Sequence, residues 1–305
     1  MSKTRELLQL LKTPRKTIFL LSEHGYFSWM DDEKYLKMVY KSLTGKEMDL
    51  KEPKTFTEKI QWLKLHDHQE RYVELVDKIS VKAYVKKLIG EEYIIPTLGV
   101  WESADSIQPD SLPSKFVLKC NHDSGSVIIC RDKDTFDFTA TQRKLEKCLH
   151  RDAFRWAREW PYKFVERKVF AEALIENPNC PDADLQDYKV YCFNGEPTYC
   201  QVISDRSTTE KIDFFDMDWI HQPFIGLNPD VQNSERLIER PQTLNKMKEI
   251  SSILSRDIPF SRIDFYDVDG RLFFGEITLY PYAGFGEFKP SEWNRKLGDL
   301  IKLPS

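Results

Sequence analysis

Three features that would assign this chain to a common class of protein are missing from its sequence. Nucleic-acid binding usually needs a strong basic excess, whereas here 45 Lys and Arg face 49 Asp and Glu, for a formal net charge of −4. The apolar run at residues 18–21 is far shorter than the roughly 20 residues of a membrane span, and shorter than a signal-peptide core. These absences predict no nucleic-acid partner, no membrane span, no export and a cytoplasmic location.

The six cysteines form no metal or disulfide pattern. None pairs as C-x-x-C, and no histidine lies at zinc-finger spacing from such a pair. Scattered thiols in a chain of 305 residues are typical of reduced core residues in the cytosol. We therefore expect neither a zinc site nor a disulfide framework.

Length and the order of the elements predict an α+β protein with two lobes and a helical extension. A chain of 305 residues exceeds the usual size of one compact domain. Helices and strands come in blocks with few strict β-α-β alternations, which favours α+β over a doubly wound sheet. The predicted parts are a helical N-terminal region at 1–70, a lobe at 71–172 and a lobe at 173–305, with loop 177–186 as a flexible link.

Apolar spacing and turn residues predict the individual elements. Thr55 and Glu58 stand in capping-box order at the start of a helix, and Asn194-Gly195 and Asp269-Gly270 predict hairpins. Helical spacing predicts helices at 6–11, 33–43, 55–65, 75–89, 140–160 and 233–255. Strand-like runs occupy 93–96, 98–101, 115–120, 126–131, 168–176, 187–193, 198–204, 212–215, 261–266 and 271–278.

The strongest group of candidate functional residues lies on the last predicted hairpin. Arg262 and Asp264 share one face of their strand because side chains alternate with a period of two, and Glu276 and Thr278 share a face of the return strand. Mg²⁺ takes carboxylate and phosphate oxygens, and an arginine fork can clamp a phosphoryl group. The group therefore predicts a nucleotide-metal site, the alternative being a hairpin with a solvated charged face.

A second group follows the strand at 115–120. Lys119 is followed by the small polar turn 121–126, whose backbone N–H groups can bind an anion beside the lysine ammonium. The order of a Walker A loop is absent, and an ordinary hairpin would show the same composition. His122 is better interpreted as a loop residue than as a catalyst, because the sequence places no partner for it.

Two further patterns are weaker. The strand containing Glu172 could present its backbone N–H and C=O groups to adenine. A strand at the edge of a sheet, with Glu172 in solvent, would show the same sequence pattern. The D-x-D patterns at 216–218 and 267–269 resemble those of nucleotide-sugar enzymes, but both fall at turns, where aspartate is common.

Taken together, these segments resemble the ATP-grasp superfamily, and most closely its TupA-like branch. The resemblance covers roughly residues 55–290. It is carried by an ordered set of motifs: FTEKIQWLK at 56–64, DK at 77–78, LKCNHDSGS at 118–126, EWPY at 159–162, DYK at 187–189 and GEITLYP at 275–281.

The resemblance implies an ATP molecule clasped between two α+β lobes. The residues that would bind it are matched position by position. Lys78 and Lys119 match the two phosphate-side lysines, Ser124, Gly125 and Ser126 match the mobile loop over the phosphates, Glu172 and Ile175 fall at the adenine hinge, and Asp187 faces the ribose.

The same resemblance implies a catalytic centre on the last hairpin. Arg262 matches the arginine that stabilises the transferring phosphoryl group, with Lys119 as its partner in catalysis, and Asp264 and Glu276 match Mg²⁺ ligands. Two ions are expected. Thr278 departs from the asparagine of many ATP-grasp ligases and is taken as the third ligand position.

The activity implied is a carboxylate-amine ligation through an acyl phosphate. TupA-like proteins are similar to enzymes of cell-surface polysaccharide assembly, which suggests a uronic-acid carboxylate joined to an amino acid. A glycosyltransferase and a kinase acting on a hydroxyl remain alternatives. The segment before about residue 70 lacks a match to the substrate-binding domain of many relatives, so the resemblance does not locate the acceptor site.

The N-terminal segment predicts a peripheral membrane contact. Within residues 1–21, five basic residues oppose the single acid Glu6, giving a local net charge of +4. Leucines at 7, 8, 10 and 11 could supply the apolar face of an interfacial helix attracted to anionic lipid. The alternative is a helix packed on the core.

Overall fold

The computed structural model describes residues 14–177, 185–206, 208–228 and 230–304. It confirms the α+β prediction, because antiparallel sheets and helices alternate in blocks along the chain. The predicted helix 6–11 and most of the predicted link 177–186 lie outside the described residues. The helices are α1 (Pro14–Glu23), α2 (Asp32–Thr44), α3 (Phe56–His66), α4 (Arg71–Val76), α5 (Ser80–Ile89), α6 (Phe138–Leu149), α7 (Ala153–Ala157), α8 (Leu244–Leu254) and α9 (Glu292–Leu300).

The strands form two main sheets and one small one. The four-stranded sheet has the order β1-β4-β2-β3, the five-stranded sheet the order β10-β9-β5-β6-β7, and β8 pairs with β11. All of these named pairs are antiparallel. The strands are β1 (Thr97–Trp101), β2 (Phe116–Cys120), β3 (Ile128–Cys130), β4 (Val169–Ala173), β5 (Asp187–Phe193), β6 (Glu196–Ser204), β7 (Lys211–Asp216), β8 (Ile225–Leu227), β9 (Phe260–Val268), β10 (Arg271–Thr278) and β11 (Glu287–Lys289).

Both predicted hairpin turns are confirmed. Asn194 and Gly195 have φ values of 53° and 84°, and Asp269 and Gly270 have 52° and 77°. Positive φ at both central residues is the requirement of the tight turn that matches strand twist, and Asn-Gly and Asp-Gly meet it at low cost. These turns fix the register of β5 with β6 and of β9 with β10.

The apolar interior divides according to the sheets. The largest core lies on the five-stranded sheet and takes in buried residues of α3, α4, α5, α8 and α9. A second core joins the four-stranded sheet to α6. A third joins α2 to Ala157, Ala283 and Phe285. The helices α4 and α5 therefore pack on the sheet that carries the last hairpin, although they precede the four-stranded sheet in sequence.

The prediction of one helix over 75–89 is wrong, since α4 and α5 are separate. Asp77 between them has extended backbone angles, φ −78° and ψ 111°. Its carboxylate accepts hydrogen bonds from Ile79 N at 2.9 Å and Ser80 Oγ at 2.7 Å. Short polar side chains that bond the nearby backbone compete with helix continuation, so Asp77 ends one helix and begins the next.

Two other long helices were also predicted too long. The segment 140–160 contains α6 and the short α7, whose start is capped by Asp152 accepting from Arg155 N at 3.1 Å. Of 233–255, only α8 is helical. Asn233 and Ser234 instead bond to β7, at 2.8 Å to Ile212 O and 3.0 Å to a carboxylate oxygen of Asp213.

Within the described ranges, no helix combines the length and apolar character that crossing a membrane requires.

The prediction of reduced core cysteines is confirmed for the five that these ranges include. All five are free thiols and buried, namely Cys120, Cys130, Cys148, Cys192 and Cys200. Cys180 lies outside the described residues.

Candidate functional site

A cleft of about 350 Å³ lies between the two main sheets, and we call it the inter-sheet cleft. The four-stranded sheet contributes residues of β2 and β4 to its wall, and the five-stranded sheet contributes residues of β5, β6, β9 and β10. Most of the residues predicted to bind a nucleotide line it. These are Lys78, Lys119, Ser124, Gly125, Ser126, Glu172, Asp187, Arg262, Asp264 and Glu276.

The four polar groups predicted on the last hairpin do converge. Arg262 forks onto Asp264, with Nε to Oδ1 and Nη2 to Oδ2 both at 2.7 Å. The same Nη2 donates to Thr278 Oγ1 at 3.0 Å and to Glu276 Oε1 at 3.3 Å. Thr278 stands opposite Arg262 in the ladder between β9 and β10, so register alone brings these two side chains together.

A register irregularity in β10 brings Glu276 to this face. The ladder between β9 and β10 shifts between Phe274 and Ile277, a bulge of the kind that redirects a side chain. Gly275 stands in the bulge, and a Cβ on it would lie 3.1 Å from the backbone oxygen of Asp264. The close approach of the strands therefore favours glycine, and the bulge sets where Glu276 meets Arg262.

Lys189 completes this charged face, although its only predicted role was membership of the motif at 187–189. Its ammonium bonds Asp264 directly and lies 2.8 Å from Asp187 Oδ2. Asp187 also pairs with Arg206 at 2.8 Å. The signal for Lys189 was present in the alternation of β5, because Asp187 and Lys189 stand two residues apart and share a face.

Lys78 links the last hairpin to the loop after β2. Its Nζ donates to Asp123 O at 2.7 Å and lies 3.4 Å from Glu276 Oε2. Burial raises the pKa of the Glu276 carboxyl, but Lys78 and Arg262 outweigh this effect and hold that pKa below its ordinary value. Glu276 therefore favours its ionised form, the form in which a carboxylate binds Mg²⁺.

Of the three residues of loop 121–126 that were predicted to cover the phosphates, two are exposed and one is buried and bonded within the loop. Ser124 and Gly125 are exposed, and Gly125 has a φ of 104° with open space where a Cβ would stand. Ser126 is buried, and its hydroxyl is already used: it donates to Asp123 and accepts from Cys120 N at 2.8 Å. Ser124 and Gly125 are thus the loop residues available to an anion.

Glu172 is neither solvated nor free at the edge of a strand. It is 5% exposed and lies between two ammonium groups, Lys119 Nζ at 2.5 Å and Lys82 Nζ at 2.6 Å. Burial raises the pKa of this carboxyl, and Lys119 and Lys82 together outweigh it, so the net shift is downward. Lys82 also donates to Ile95 O and Thr97 Oγ1, a role that the lysine-rich sequence of α5 did not reveal.

Ile175 is the predicted nucleotide residue that does not line the inter-sheet cleft. It packs instead in a small apolar cluster with Ile95, Val268 and Phe273. This cluster covers one end of the hairpin of β9 and β10. The position of Ile175 therefore gives no support to its predicted contact with adenine.

Buried polar atoms without a partner show that the cleft suits a polar ligand. Asp187 Oδ1, Gln201 Nε2 and Asp123 Oδ2 are buried without a hydrogen-bond partner, and all three residues line the cleft. Such atoms are costly unless a ligand or water satisfies them. Oxygen donors from Asp264, Glu276 and Thr278 suit Mg²⁺. No group of three or more His, Cys, Asp or Glu suited to a metal occurs among the described residues, so phosphate oxygens and water would have to complete the shell.

A second cavity, of about 450 Å³, adjoins the cleft, and we call it the side cavity. The two share Asp123, Ser124, Arg262, Glu276 and Tyr282. The rest of its wall comes largely from residues 151–162, which include Glu159 and Tyr162, and from Thr278 and Tyr280. The charged face of the last hairpin therefore separates two adjoining spaces.

A family profile described as TupA-like ATP-grasp matches residues 58–302. The chain belongs to the TupA-like ATP-grasp family. This match spans most of the chain and includes both sheets and both cavities, so the predicted ATP-grasp fold is confirmed. No curated protein sequence matches this family member.

Solved structures with a similar arrangement are distant from this TupA-like protein. D-alanine–D-alanine ligase from Bacillus anthracis, complexed with ATP, is 17% identical over 68% of this chain and 54% of its own, with a TM-score of 0.37. The Helicobacter pylori D-alanine–D-alanine ligase is 12% identical over 82% and 68%, with a TM-score of 0.43. ATP-grasp ligase PsnB, complexed with minimal precursor, Mg and ADP, is 9% identical over 73% and 57%, with a TM-score of 0.37. The chain spans little more than half the length of the Bacillus anthracis and PsnB chains.

The Lys82 contact generates a stability prediction. Lys82→Met should lower the free energy of unfolding by about 2 kcal/mol at neutral pH, because buried Glu172 loses one of its two cations. A carboxyl with a lowered pKa stabilises the fold above its unfolded pKa and loses that contribution as pH falls through the folded pKa. In urea unfolding, the difference in free energy of unfolding between Lys82→Met and wild type should therefore shrink as the solution is acidified.

Lys86→Met is the matched control for this experiment. Lys86 lies one turn farther along α5 and pairs with Glu91 at the surface, where it is about half exposed. Its removal should change stability by less than about 0.5 kcal/mol. Equal losses in the two variants would contradict a special role for Lys82.

Proposed function

We propose that this protein is an ATP-dependent carboxylate-amine ligase that forms an amide bond through an acyl phosphate. The observation that carries the proposal is the position of Arg262 and Glu276, which line the inter-sheet cleft and the side cavity together. A nucleotide in the cleft and an acceptor in the side cavity would meet at this charged face. Membership of the TupA-like ATP-grasp family supports the nucleotide as ATP.

The residues of the cleft divide the work of phosphoryl transfer. Lys78 and Lys119 would bind phosphate oxygens as point charges, and Ser124 and Gly125 would cover them. Asp264, Glu276 and Thr278 would hold Mg²⁺, which neutralises charge on the phosphates when bound. Arg262 lies against these carboxylates and would stabilise charge on the phosphoryl group as the substrate carboxylate attacks in line.

The resemblance described above supports a substrate class as well. It favours a uronic-acid carboxylate of a cell-surface polysaccharide or its precursor, joined to an amino acid, by family analogy. A kinase on the same scaffold would need only a hydroxyl in place of the carboxylate. The side cavity has room for either acceptor.

The glycosyltransferase alternative loses its main support in the geometry of the two D-x-D patterns. Asp216 accepts hydrogen bonds from the backbone of Asp218 and Ile220. Asp267 accepts from Gly270 N at 2.9 Å and from Thr243 at 2.6 Å. The bonds from Asp218, Ile220 and Gly270 are the local bonds by which aspartate stabilises turns, and the bond from Thr243 ties Asp267 to the segment before α8. Neither Asp216 nor Asp267 lines the described cavities.

Mg-ATP should raise the melting temperature of the protein, whereas UDP- and GDP-sugars should not, because a ligand that binds only the folded state stabilises it. Lys119→Ala should weaken ATP binding by about tenfold, the loss expected for a charge-assisted contact to phosphate. Lys115→Ala is the control, since Lys115 pairs with Glu176 at the surface. Stabilisation by a nucleotide sugar and not by ATP would favour the glycosyltransferase.

Thr278 should set the Mg²⁺ requirement. Its hydroxyl lies 3.3 Å from Glu276 Oε1 and accepts from Arg262, so it can orient a metal ligand. Thr278→Asn supplies a longer neutral oxygen donor and should preserve turnover at a lower Mg²⁺ concentration. Thr278→Val should raise the concentration needed, and Glu276→Gln should be far worse than either. ADP release measured against Mg²⁺ tests this order, and an unchanged Thr278→Val would contradict it.

The proposed peripheral contact with the inner membrane surface gains one supporting observation. Trp29 and Tyr26, in the turn after α1, are 80% and 65% exposed, and such aromatic rings suit a membrane interface. Ile18 of α1 packs in the third core, as the core-packing alternative requires. Sedimentation should show binding to anionic but not neutral vesicles, and less binding for Trp29→Ser. Equal sedimentation with both vesicles would exclude the contact.

A further inference from the structure

Glu159 is a carboxylate of the side cavity without an ion-pair partner among the described residues. It stands between Arg158, whose φ of 52° turns the chain sharply, and the turn Trp160–Lys163. Arg158 is fixed by an ion pair with Asp32 at 2.8 Å and a bond to Phe27 O at 2.9 Å. The backbone that delivers Glu159 to the cavity wall is therefore anchored on α2 and on the turn between α1 and α2.

The cation with the largest electrostatic effect on Glu159 is Lys64, and it forms its hydrogen bonds with other groups. Lys64 of α3 is 1% exposed and donates to Ala157 O at 2.8 Å and Ala283 O at 2.5 Å. Its ammonium also lies 4.8 Å from the ring centre of Phe285. Lys64 thus holds the ends of two wall segments together and leaves the Glu159 carboxylate without a direct bond.

The other carboxylates of the side cavity already have partners. Asp152 pairs with Arg155 and Arg167 and caps α7. Asp123 accepts from Ser126. Glu276 belongs to the charged face with Lys78 and Arg262. Asp123 uses only Oδ1 in its bond with Ser126 and keeps Oδ2 free, whereas Glu159 has neither carboxylate oxygen bonded within the described part of the chain.

Unpartnered buried polar atoms indicate that the side cavity is built for a polar ligand. His122 Nδ1 and Tyr280 Oη are buried without a hydrogen-bond partner, and so is Asp123 Oδ2. All three residues line the cavity, and His122 and Tyr280 are 2% and 4% exposed. Burial of such atoms is tolerated where a ligand or ordered water satisfies them.

The surroundings of Glu159 change the pKa of its carboxyl. Burial raises the pKa of its carboxyl well above the ordinary value, against the opposing effects of Lys64 and Lys78. The groups that face it are Lys64 from α3, Lys78 before α5, and the phenols of Tyr162 and Tyr280, whose pKa values burial and Glu159 both raise. A carboxyl whose pKa is raised toward neutrality suits a general base.

We infer that Glu159 binds the amine co-substrate as its ammonium ion in the side cavity and accepts the proton that the amine must lose before it attacks. This inference rests on the proposed ligase function. The N–H bond breaks and its proton passes to Glu159, so the nitrogen lone pair is free to bond the acyl carbon. The C–O bond to phosphate then breaks, the phosphate leaves with the electron pair, and it or water takes the second amine proton.

Binding of small probes tests the site without knowledge of the natural amine. Propylammonium and its neutral counterpart propanol would be compared by saturation-transfer NMR on the full chain. Wild type should prefer the cation by about tenfold, as a charge-assisted bond requires, and Glu159→Gln should lose the preference. The preference should fade on acidification at a pH above the usual range of a glutamate, because the raised pKa of this carboxyl makes it protonate early. No preference in wild type, or one that survives in Glu159→Gln, would overturn the inference.

Two variants separate the charge of Glu159 from its place in the fold. Glu159→Asp keeps the charge on a shorter side chain and should retain a reduced preference for the cation. Glu166→Gln removes a carboxylate that is 73% exposed and paired with Lys168 at the surface, and it should behave as wild type. Loss of the preference in Glu166→Gln would show a nonspecific effect of net charge and overturn the assignment.

A reaction assay tests the proton transfer. With ATP, Mg²⁺ and glucuronate, hydroxylamine traps an acyl phosphate as a hydroxamate, and it needs no base because it is largely uncharged at neutral pH. Glu159→Gln should retain this trapping and lose at least about tenfold of the transfer to propylamine. Equal loss of both would exclude Glu159 as proton acceptor. Absence of hydroxamate with wild type would count against the ligase function for uronates, while probe binding would still decide the Glu159 site.

Discussion

The buried ladder of β5, β9 and β10 is the constraint on which the rest of this site depends. Its register places Lys189 opposite Asp264 and Arg262 opposite Thr278. Arg262 and Asp264 are 8% and 3% exposed, and unpaired charges at that depth would cost several kcal/mol. The charges are tolerated because each carboxylate of the face has cations within bonding distance. The cleft and the side cavity take their positions from this balanced face.

The same balance gives each of these carboxylates partners within the protein itself. Lys78 and Arg262 lie against Glu276, and Lys189 and Arg262 lie against Asp264. A metal ion bound by Glu276 and Asp264 would replace some of these lysine and arginine charges, so little additional charge would be buried. Preorganised charge of this kind needs little rearrangement during reaction.

The parts of the site that follow from local periodicity could be predicted from the sequence. Alternation on two strands and a strong Asp-Gly turn predict the pairs Arg262 with Asp264 and Glu276 with Thr278. The bulge that brings both pairs to one face has no counterpart in the alternation. The contacts of Lys82, Lys64 and Glu159 could not be predicted, because they join segments far apart in the chain through packing. The break at Asp77 was missed for a related reason, since its side-chain bonds outweigh the helical spacing on either side.

Asn121 has a mechanical consequence for the two sheets. It is 0% exposed, and its amide bonds Asp77 and Glu166 while it accepts from Lys168 N and, through its backbone, from Lys78 N. These hydrogen bonds therefore fix the segment that carries Lys78 to the end of β2 and the start of β4. Its flanking helices α4 and α5 nevertheless pack on the opposite sheet. Any rotation of one sheet against the other must change the 3.4 Å separation of Lys78 and Glu276 or bend the chain at Asp77. The angle between the sheets therefore controls how close the Lys78 ammonium lies to the charged face of the last hairpin.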